Sequence, residues 1–241
     1  MIFDFSSEKT YAVLLMAGKG NRIDPANPKQ YIKVAGKELF LYAATAMEES
    51  PLVDYVIYVV PQGETEKTES IIKDAGLKKA HAVIVGGDAR EVSAKYAVEY
   101  LQAKRINPHS IVMIHDADRP NITLDLIERN VEAAKKSQAA ITAVKCVDSL
   151  VSLNAEKKLQ SYVNRENIVC VQTPQTFTYA VIYGAFLRTA NLTEYTDEGS
   201  LVLKTTLRQP EIVEGSSENF KVTTPADLAL FEQARNKHEP Q

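Results

Sequence analysis

The run YAVLLM at residues 11–16 is followed directly by AGKGNR at residues 17–22. A short, continuously apolar segment of this kind is typical of a strand buried on both faces of a parallel sheet. Glycines after such a strand allow backbone N–H groups to approach an anion closely. This stretch therefore predicts the first strand of an α/β sheet and an anion-binding loop at its carboxyl end.

The same pattern recurs along the first part of the chain. Four further apolar segments are candidates for strands, at residues 54–60, 82–85, 111–114 and 139–144. Segments of helical polarity separate them, at residues 39–47, 64–75, 89–104 and 124–136. Strands that alternate with helices are typical of a parallel sheet. We therefore predict an α/β fold with a Rossmann-like, mostly parallel sheet covered by helices on both faces.

The pattern changes near residue 145. Residues 146–153 and 159–164 favour β-structure and flank the turn-like stretch 154–157, which predicts a projecting hairpin. Beyond it we expect a Pro-containing segment at 172–177, helices at 179–189, near 196–204 and from Pro225, and strands at 211–214 and 220–223. We interpret residues 1–241 as one domain in which residues 145–165 form a protruding β-hairpin arm.

Composition and charge exclude several classes of protein. The 241 residues are 45% hydrophobic and carry a formal net charge of −3, as expected for a soluble globular chain. No apolar run reaches the roughly 18 residues that span a bilayer, and the slight acidity disfavours a nucleic-acid partner. Two cysteines, Cys146 and Cys170, cannot build a disulfide framework. Since the amino-terminal stretch also lacks a secretory-signal pattern, we expect a cytoplasmic protein.

The glycine loop is followed by PKQY at residues 28–31. Arg22 and Lys29 would add two positive charges to the loop, as a triphosphate cradle requires. The loop is not a P-loop, because no Gly-Lys-Ser/Thr closes it. It does not match a dinucleotide-binding fingerprint, because Ile23 stands at the third glycine position, which disfavours an NAD-dependent oxidoreductase. A glycine turn with solvated basic residues is the alternative, and we favour the cradle.

A second motif, HDADRP at residues 115–120, follows the strand candidate at 111–114. Ligands of open parallel sheets bind beyond the carboxyl ends of the strands, so this motif and the glycine loop should face one crevice. There, Asp116 would hold a Mg²⁺ ion that bridges phosphate oxygens, and Arg119 would bind an anionic second substrate. A surface turn is the alternative for Asp116, and for His115 we favour a structural role.

Two further signals are weaker when taken alone. The stretch GGDAREVS at residues 86–93 follows a strand and opens a helix, so its exposed amides and Ser93 could read the edge of a nucleobase. Lys221 lies in a short apolar segment, where a buried charge needs an oppositely charged group such as phosphate. A lysine on an edge strand is the alternative. No G-x-S-x-G elbow or Cys/His cluster indicates serine hydrolysis or transition-metal chemistry.

Seven stretches stand in a fixed order along the chain: AGKGNR…PKQY (17–31), GGDAREVS (86–93), HDADRP (115–120), VDSLV (147–151), NR…QTPQTF (164–177), TDEGS (196–200) and ENFKVTTPADL (218–228). In this order they resemble the CTP-dependent polyol-phosphate cytidylyltransferases. The resemblance implies that CTP and a polyol phosphate react to give a CDP-polyol and pyrophosphate. It also implies a homodimer made through the arm at residues 145–165.

The resemblance further implies roles for individual residues. Arg22, Lys29 and Lys221 would be catalytic, and Asp116 would bind Mg²⁺, the expected cofactor. CTP would be bound by Ala17, Gly18, Lys19, Gly20, Gly86, Gly87, Arg90 and Ser93. The polyol phosphate would be bound by Arg119, Ser149, Arg165 and Thr173. Because Arg165 belongs to the arm, it would serve the site of the second subunit.

One departure from the family pattern and the choice of acceptor leave alternatives open. Asp118 stands where the family usually has a small apolar residue, so it could join Mg²⁺ coordination or repel a phosphate. It favours the alternative of a non-catalytic nucleotide-binding protein that retains the fold. For the acceptor we favour D-ribitol 5-phosphate, on the stretches 147–151 and 164–165. The alternative is 2-C-methyl-D-erythritol 4-phosphate of isoprenoid precursor biosynthesis, which residues 213–228 fit at least as well.

Overall fold

The computed structural model describes residues 7–18 and 28–236. Its strands are β1 (Thr10–Leu15), β2 (Lys33–Val34), β3 (Lys37–Glu38), β4 (Tyr55–Val60), β5 (Ala80–Val85), β6 (Ile111–Asp116), β7 (Ala139–Lys145), β8 (Leu150–Leu153), β9 (Leu159–Val163), β10 (Val169–Thr178) and β11 (Glu211–Glu214). Its α-helices are α1 (Leu39–Glu49), α2 (Thr65–Asp74), α3 (Arg90–Ala103), α4 (Leu124–Ser137), α5 (Tyr179–Leu187), α6 (Glu198–Thr206) and α7 (Pro225–Asn236). Within these ranges, no helix combines the length and apolar character needed to cross a bilayer.

Seven strands form one central sheet in the order β11-β7-β10-β6-β1-β4-β5. Strand β1 pairs in parallel with β4 and β6, β4 pairs in parallel with β5, and β11 pairs in parallel with β7. Strand β10 runs antiparallel between β6 and β7. The predicted α/β fold with a mostly parallel sheet is confirmed.

Helices cover both faces of this sheet, because the buried strands present apolar side chains on either side. In β1, Ala12 and Leu14 pack in one core cluster, together with residues of α1 and α4. Tyr11 and Val13 pack in a second cluster, together with residues of α3, α5 and α6. All six residues of β1 are buried, so its continuous apolar run places it in the middle of the molecule.

The structure differs from the sequence-based expectations at three places. The segment 172–177, expected only as a Pro-containing stretch, belongs to the ten-residue strand β10. The predicted strand at 220–223 is wrong, since this segment joins no sheet and is held by a bond from Val222 N–H to the carbonyl of Asp118 at 2.7 Å. The short pair β2–β3 was not predicted, because two-residue strands carry too little alternation to be recognised.

The predicted hairpin is present as the antiparallel pair β8–β9, which forms a sheet of its own. Its turn is stabilised by Asn154, whose side-chain oxygen accepts hydrogen bonds from the backbone N–H groups of Glu156 and Lys158 at 3.0 and 2.9 Å. Such Asx bonding is a common reason for asparagine at turns. Because its strands lie outside the central sheet, the hairpin exposes apolar side chains on its surface, among them Leu153 and Tyr162.

The helix α7 closes a small third cluster that supports the segment carrying Lys221. Phe231 is fully buried there with Val34, Leu39 and Val222. The helix begins with the expected cap, since the Thr224 hydroxyl accepts a hydrogen bond from Asp227 N–H at 3.2 Å. Burial of Val222 in this cluster fixes the neighbouring Lys221 backbone at the rim of the central sheet.

Candidate active site

Backbone hydrogen bonds connect the loops at the carboxyl ends of the parallel strands. Met16 N–H donates to the carbonyl of Val59 at 2.9 Å, and Ala117 N–H donates to the carbonyl of Leu15 at the same distance. Gly86 N–H donates to the carbonyl of Val60 at 2.8 Å. The loops after β1, β5 and β6 therefore meet at one edge of the sheet, as the apolar strand pattern predicts.

Gly86 is required where two of these loops touch. A Cβ atom at this position would lie 2.5 Å from the Cβ of Ala17 and 2.7 Å from the Oγ of Ser93. Neither neighbour can move far, because Ser93 is buried in α3 and Ala17 follows the buried Met16 at the end of the core strand. The glycine thus allows the loop after β5 to close against the loop after β1.

A cavity of about 150 Å³ opens between these loops. Many of the residues predicted from the sequence line it, namely Ala17, Gly18, Gly87, Arg90, Ser93, Asp116 and Lys221, together with Asp88 and Asp118. Gly86 lies behind this wall, in the contact with Ala17. The predicted residues Lys19, Gly20 and Arg22 lie outside the described residues. Within the described part of the chain, the first cavity therefore combines glycine-rich backbone, two cations and three carboxylates.

The hydroxyl of Ser93 organises the loop that forms one side of this cavity. It accepts a hydrogen bond from Gly87 N–H at 3.1 Å and donates to the carbonyl of Ala89 at 3.0 Å. Its hydrogen-bonding capacity is therefore largely used within the protein. Ser93 therefore fixes the conformation of the loop amides.

Gln30, a residue without a predicted role, fixes the backbone of the glycine loop after β1. Its side-chain amide donates to the carbonyl of Met16, and the same nitrogen lies 3.3 Å from the carbonyl of Gly18. Gln30 is buried, so these bonds are shielded from water. The PKQY stretch at residues 28–31 is recognisable in the sequence, but only the fold shows which atoms the Gln30 side chain contacts.

Asp116 lies at the centre of the ionic contacts. Its Oδ1 accepts a hydrogen bond from Arg90 Nε at 2.8 Å, and its Oδ2 accepts one from Lys221 Nζ at 3.0 Å. The Nε of Arg119 lies 3.9 Å from the same Oδ2. Burial by itself would raise the pKa of the Asp116 carboxyl, but the charges of Arg90 and Lys221 outweigh it and hold the pKa well below its ordinary value. Asp116 is therefore ionised at neutral pH.

Arg90 connects Asp116 to a second buried acid that the sequence analysis did not assign. Its Nη1 donates to both carboxylate oxygens of Glu198, at 2.7 and 2.9 Å. Glu198 is only 1% exposed. Burial would lower the pKa of Arg90, but the two acids raise it above its ordinary value, so the guanidinium stays charged. Glu198 thus fixes the arginine that fixes Asp116.

The predicted cation Lys29 is paired inside the protein. Its Nζ lies 2.5 Å from Asp118 Oδ2 and donates to the carbonyl of Val222 at 2.8 Å. The other oxygen of Asp118 lies 3.6 Å from Lys221 Nζ. Lys29, Lys221 and Asp116 therefore converge on one cluster as expected. Asp118, however, lines the cavity, and Lys29 does not stand among the lining residues.

A second cavity of about 310 Å³ adjoins the first. Arg90, Asp116 and Lys221 line both cavities. The second cavity is completed by Arg119 and Val171 and by residues of the stretches QTPQTF and TDEGS, namely Gln172, Thr173, Gln175, Thr196 and Asp197. Arg119 and Thr173 are predicted acceptor residues. The two cavities thus share a wall that consists of one carboxylate and two cations.

His115 determines how Thr173 can bond in this second cavity. The Nε2 of His115 faces the carbonyl of Arg119 at 3.0 Å, so it carries the hydrogen and donates. Nδ1 then accepts the hydroxyl proton of Thr173 at 3.0 Å, and the same hydroxyl oxygen accepts Asp116 N–H at 3.1 Å. Burial lowers the pKa of His115 to about 4, which keeps the ring neutral. These bonds give His115 the structural role that the sequence favoured.

The remaining two predicted acceptor residues lie on the arm. Ser149 and Arg165 are exposed, and neither belongs to the residues lining the two cavities described above. Arg165 Nη1 donates to the carbonyl of Val147 at 2.7 Å, which fixes the base of the hairpin. Within this chain, therefore, the structure does not bring these two side chains to the site.

The donor set of the first cavity fits a magnesium ion. Asp116 and Asp118 supply carboxylate oxygens, and Mg²⁺ in proteins commonly uses one or two carboxylates, water and substrate phosphates. The described residues contain no cluster of three or more His, Cys, Asp or Glu side chains arranged as a metal site. A metal ion here would therefore rely on substrate phosphates to complete its coordination, and Lys221 would have to release Asp116 Oδ2.

Two adjoining cavities that share a wall of one carboxylate and two cations suit the joining of a nucleotide to a second anionic molecule, and the chain is a nucleotidyltransferase. Comparison with known proteins identifies the family. The family model described as "IspD: 2-C-methyl-D-erythritol 4-phosphate cytidylyltransferase" matches residues 10–235. The chain belongs to this family, so the resemblance to cytidylyltransferases is confirmed and the non-catalytic alternative is not supported.

Individual relatives agree with the family model. The 2-C-methyl-D-erythritol 4-phosphate cytidylyltransferase of Syntrophus aciditrophicus is 32% identical over 233 residues, covering 96% of this chain and 97% of the relative. The protein of the same name from Thermosipho africanus is 36% identical over 223 residues, covering 91% and 95%. The crystal structure of the cytidylyltransferase of that name from Thermus thermophilus has a TM-score of 0.74 at 29% identity, covering 95% of this chain and 100% of that one.

These comparisons do not support the preference for ribitol 5-phosphate as the acceptor. The family model and the relatives given above carry the name of the alternative, 2-C-methyl-D-erythritol 4-phosphate. The stretches 147–151 and 164–165, on which the preference rested, lie on the exposed arm and outside both cavities. They are therefore poor indicators of the acceptor that this chain's own second cavity fits.

The contacts of Glu198 predict a loss of activity when its charge is removed. In Glu198→Gln the side chain keeps its shape, but Arg90 loses a buried anionic contact and no longer orients Asp116. We expect turnover to fall about tenfold or more. Loss of one member of a buried pair should also lower the free energy of unfolding by about 3 kcal/mol.

The control is Glu194→Gln, which removes the same charge from an exposed glutamate just before α6. It should change stability by no more than about 0.5 kcal/mol. Steady-state kinetics below the melting temperature and urea unfolding measure both effects. Wild-type turnover by Glu198→Gln would show that Arg90 does not depend on this contact.

Proposed function

We propose that this chain transfers CMP from CTP to 2-C-methyl-D-erythritol 4-phosphate and releases pyrophosphate. The main structural support is the shared wall of Arg90, Asp116 and Lys221 between two adjoining cavities. Transfer requires the two substrates to meet at one point, and this wall is where their phosphates would meet. The names carried by the family model and the relatives support the choice of both substrates.

In this reaction a phosphate oxygen of the acceptor attacks the α-phosphorus of CTP. A new bond forms between that oxygen and the α-phosphorus, and the bond from the α-phosphorus to the bridging oxygen breaks, which releases pyrophosphate. Because the acceptor supplies the nucleophile, the protein needs no nucleophilic side chain. Positioning and electrostatic stabilisation are then the main contributions to catalysis.

The first cavity would bind CTP. The backbone around Gly18 and Gly87 would approach the nucleotide closely, since these glycines lie in the cavity wall. Lys221 is 35% exposed in its side chain and lines both cavities, so its ammonium would contact the phosphate at which transfer occurs. Magnesium bound at Asp116 would neutralise charge that develops on the phosphate oxygens.

The second cavity would bind the acceptor. Arg119 lines it with a guanidinium that suits a phosphate group. Thr173 has already donated its hydroxyl proton to His115 and accepted one N–H from Asp116. Its remaining lone pair would accept a hydrogen bond, so Thr173 would recognise a hydroxyl of the acceptor and not its phosphate.

An acceptor panel tests the proposed reaction directly. With CTP and Mg²⁺, we expect kcat/KM for 2-C-methyl-D-erythritol 4-phosphate to exceed that for D-ribitol 5-phosphate by at least about tenfold, the size of effect that small pocket contacts give. Pyrophosphate release measures the rate, and replacement of CTP by UTP or ATP controls for the base. Faster reaction with ribitol 5-phosphate would contradict the proposed acceptor, and no release with either acceptor would contradict the reaction.

We also propose that the arm joins two copies of the chain. Exposed apolar side chains gather on it: Val147 is 79% exposed and Tyr162 76% exposed, with Leu153 and Leu159 also exposed. Such apolar surface is costly in water unless a second molecule covers it. A dimer made through the arm would carry Ser149 and Arg165 to the site of the second subunit and complete the acceptor cavity there.

A charged side chain introduced on the arm should dissociate such a dimer. We expect Tyr162→Glu to run as a monomer in light-scattering chromatography, because burial of an unpaired carboxylate in the interface is costly. Its KM for the acceptor should rise, since Ser149 and Arg165 are no longer supplied. Leu187→Glu, at an exposed apolar residue of α5, is the matched control and should leave the dimer intact. A wild-type chain that is monomeric at micromolar concentration would refute this assembly.

A further inference from the structure

The carboxylate of Asp118 lies between the cavity and a buried lysine. Lys29 Nζ is 2.5 Å from Asp118 Oδ2, and the two side chains are only 11% and 13% exposed. The opposite face of this pair is fixed by Val222, whose carbonyl accepts from Lys29 Nζ and whose N–H donates to the carbonyl of Asp118. Asp118 is thus held in place from behind and presents its other oxygen towards Lys221.

This arrangement places a negative charge where a triphosphate would need positive ones. Asp118 stands among the residues that line the first cavity, whereas Lys29 lies behind it. Asp118 Oδ1 is buried and accepts no hydrogen bond from the part of the chain that the structure describes. An anion that enters the cavity would therefore meet a carboxylate before it reached the ammonium group of Lys29.

The pairing of the two lysines strengthens this conclusion. Among the described residues, Lys29 and Lys221 both lie against Asp118, with their Nζ atoms 2.5 and 3.6 Å from its carboxylate oxygens. An anion that enters the cavity therefore gains contact with these two ammonium groups only by competing with that carboxylate.

We propose that Asp118 is a specificity-determining residue that makes the site reject metal-free triphosphate and accept the magnesium-bound form. A metal-free anion must compete with the Asp118 carboxylate for Lys29 and Lys221, and like charges brought close together at a binding site are costly. A divalent cation bound with the anion removes this penalty, because it neutralises the carboxylates of the cavity. This proposal depends on one part of the proposed function, namely that a triphosphate binds in the first cavity.

Calorimetric titration with inorganic tripolyphosphate, and separately with CTP, tests this discrimination. Each anion is titrated in excess EDTA and again in excess Mg²⁺. For the wild-type chain we expect the metal-free dissociation constant of tripolyphosphate to be at least about tenfold weaker than the magnesium-bound one. In Asp118→Asn, which keeps the side-chain shape, metal-free binding should tighten about tenfold, while the gain in Mg²⁺ should stay below about threefold.

Asp88→Asn is the matched control. Asp88 lines the same cavity but is exposed, and the described residues give it no ion pair with either lysine. It removes the same charge from the cavity without releasing Lys29 or Lys221. Metal-free tripolyphosphate should therefore bind this variant within about twofold of the wild type. A gain equal to that of Asp118→Asn would show that overall charge, and not the pairing of the lysines, controls binding, which would overturn the proposal.

Two further outcomes would also overturn it. One is metal-free binding by Asp118→Asn that is no tighter than in the wild type. The other is a wild-type chain that binds tripolyphosphate equally well with and without Mg²⁺, a measurement that needs no variant to fold. Because tripolyphosphate contains neither nucleobase nor acceptor, these results are independent of the acceptor panel that tests the proposed reaction.

Discussion

The site depends on one buried carboxylate at the end of a central strand. Asp116 terminates β6, and it holds Arg90 at the start of α3 and Lys221 in the segment before α7. These residues lie 26 and 105 positions away along the chain. Without the carboxylate, the two cations would repel each other at the rim of the sheet. The ion pairs of Asp116 therefore balance the charges at this edge of the sheet, and they also hold positive charge beside both cavities.

The organisation of cavities follows from the topology of the sheet. Parallel strands bring the loops after β1, β5 and β6 to one edge, which creates the first cavity. The antiparallel strand β10 then carries Thr173 next to β6 from the opposite direction, which creates the second. Substrates bound in these cavities would approach each other across Asp116. The antiparallel strand β10 thus forms the second cavity of the site.

Local patterns predict much of this fold and only part of the site. Apolar runs identify the parallel strands, and the position of Asp116 after one of them predicts its place at the sheet edge. Strand β10 is not predicted, because Pro174 disfavours a central strand and only the neighbours β6 and β7 stabilise it there. Glu198 is an ordinary acid at a helix start in sequence; only the fold brings it to Arg90, 108 residues away. The pairing of Lys29 with Asp118 is likewise a tertiary contact that no spacing reveals.

The central claim is that cations gathered by Asp116 stabilise the charge that develops during transfer, and Lys221→Met tests it most directly. Lys221 lines both cavities and keeps part of its side chain exposed, so its replacement should leave the fold intact, and saturating substrates offset the loss of CTP affinity. Single-turnover kinetics with saturating substrates should show the rate of pyrophosphate release falling by about 10²–10³. A rate within about threefold of the wild type would contradict the claim.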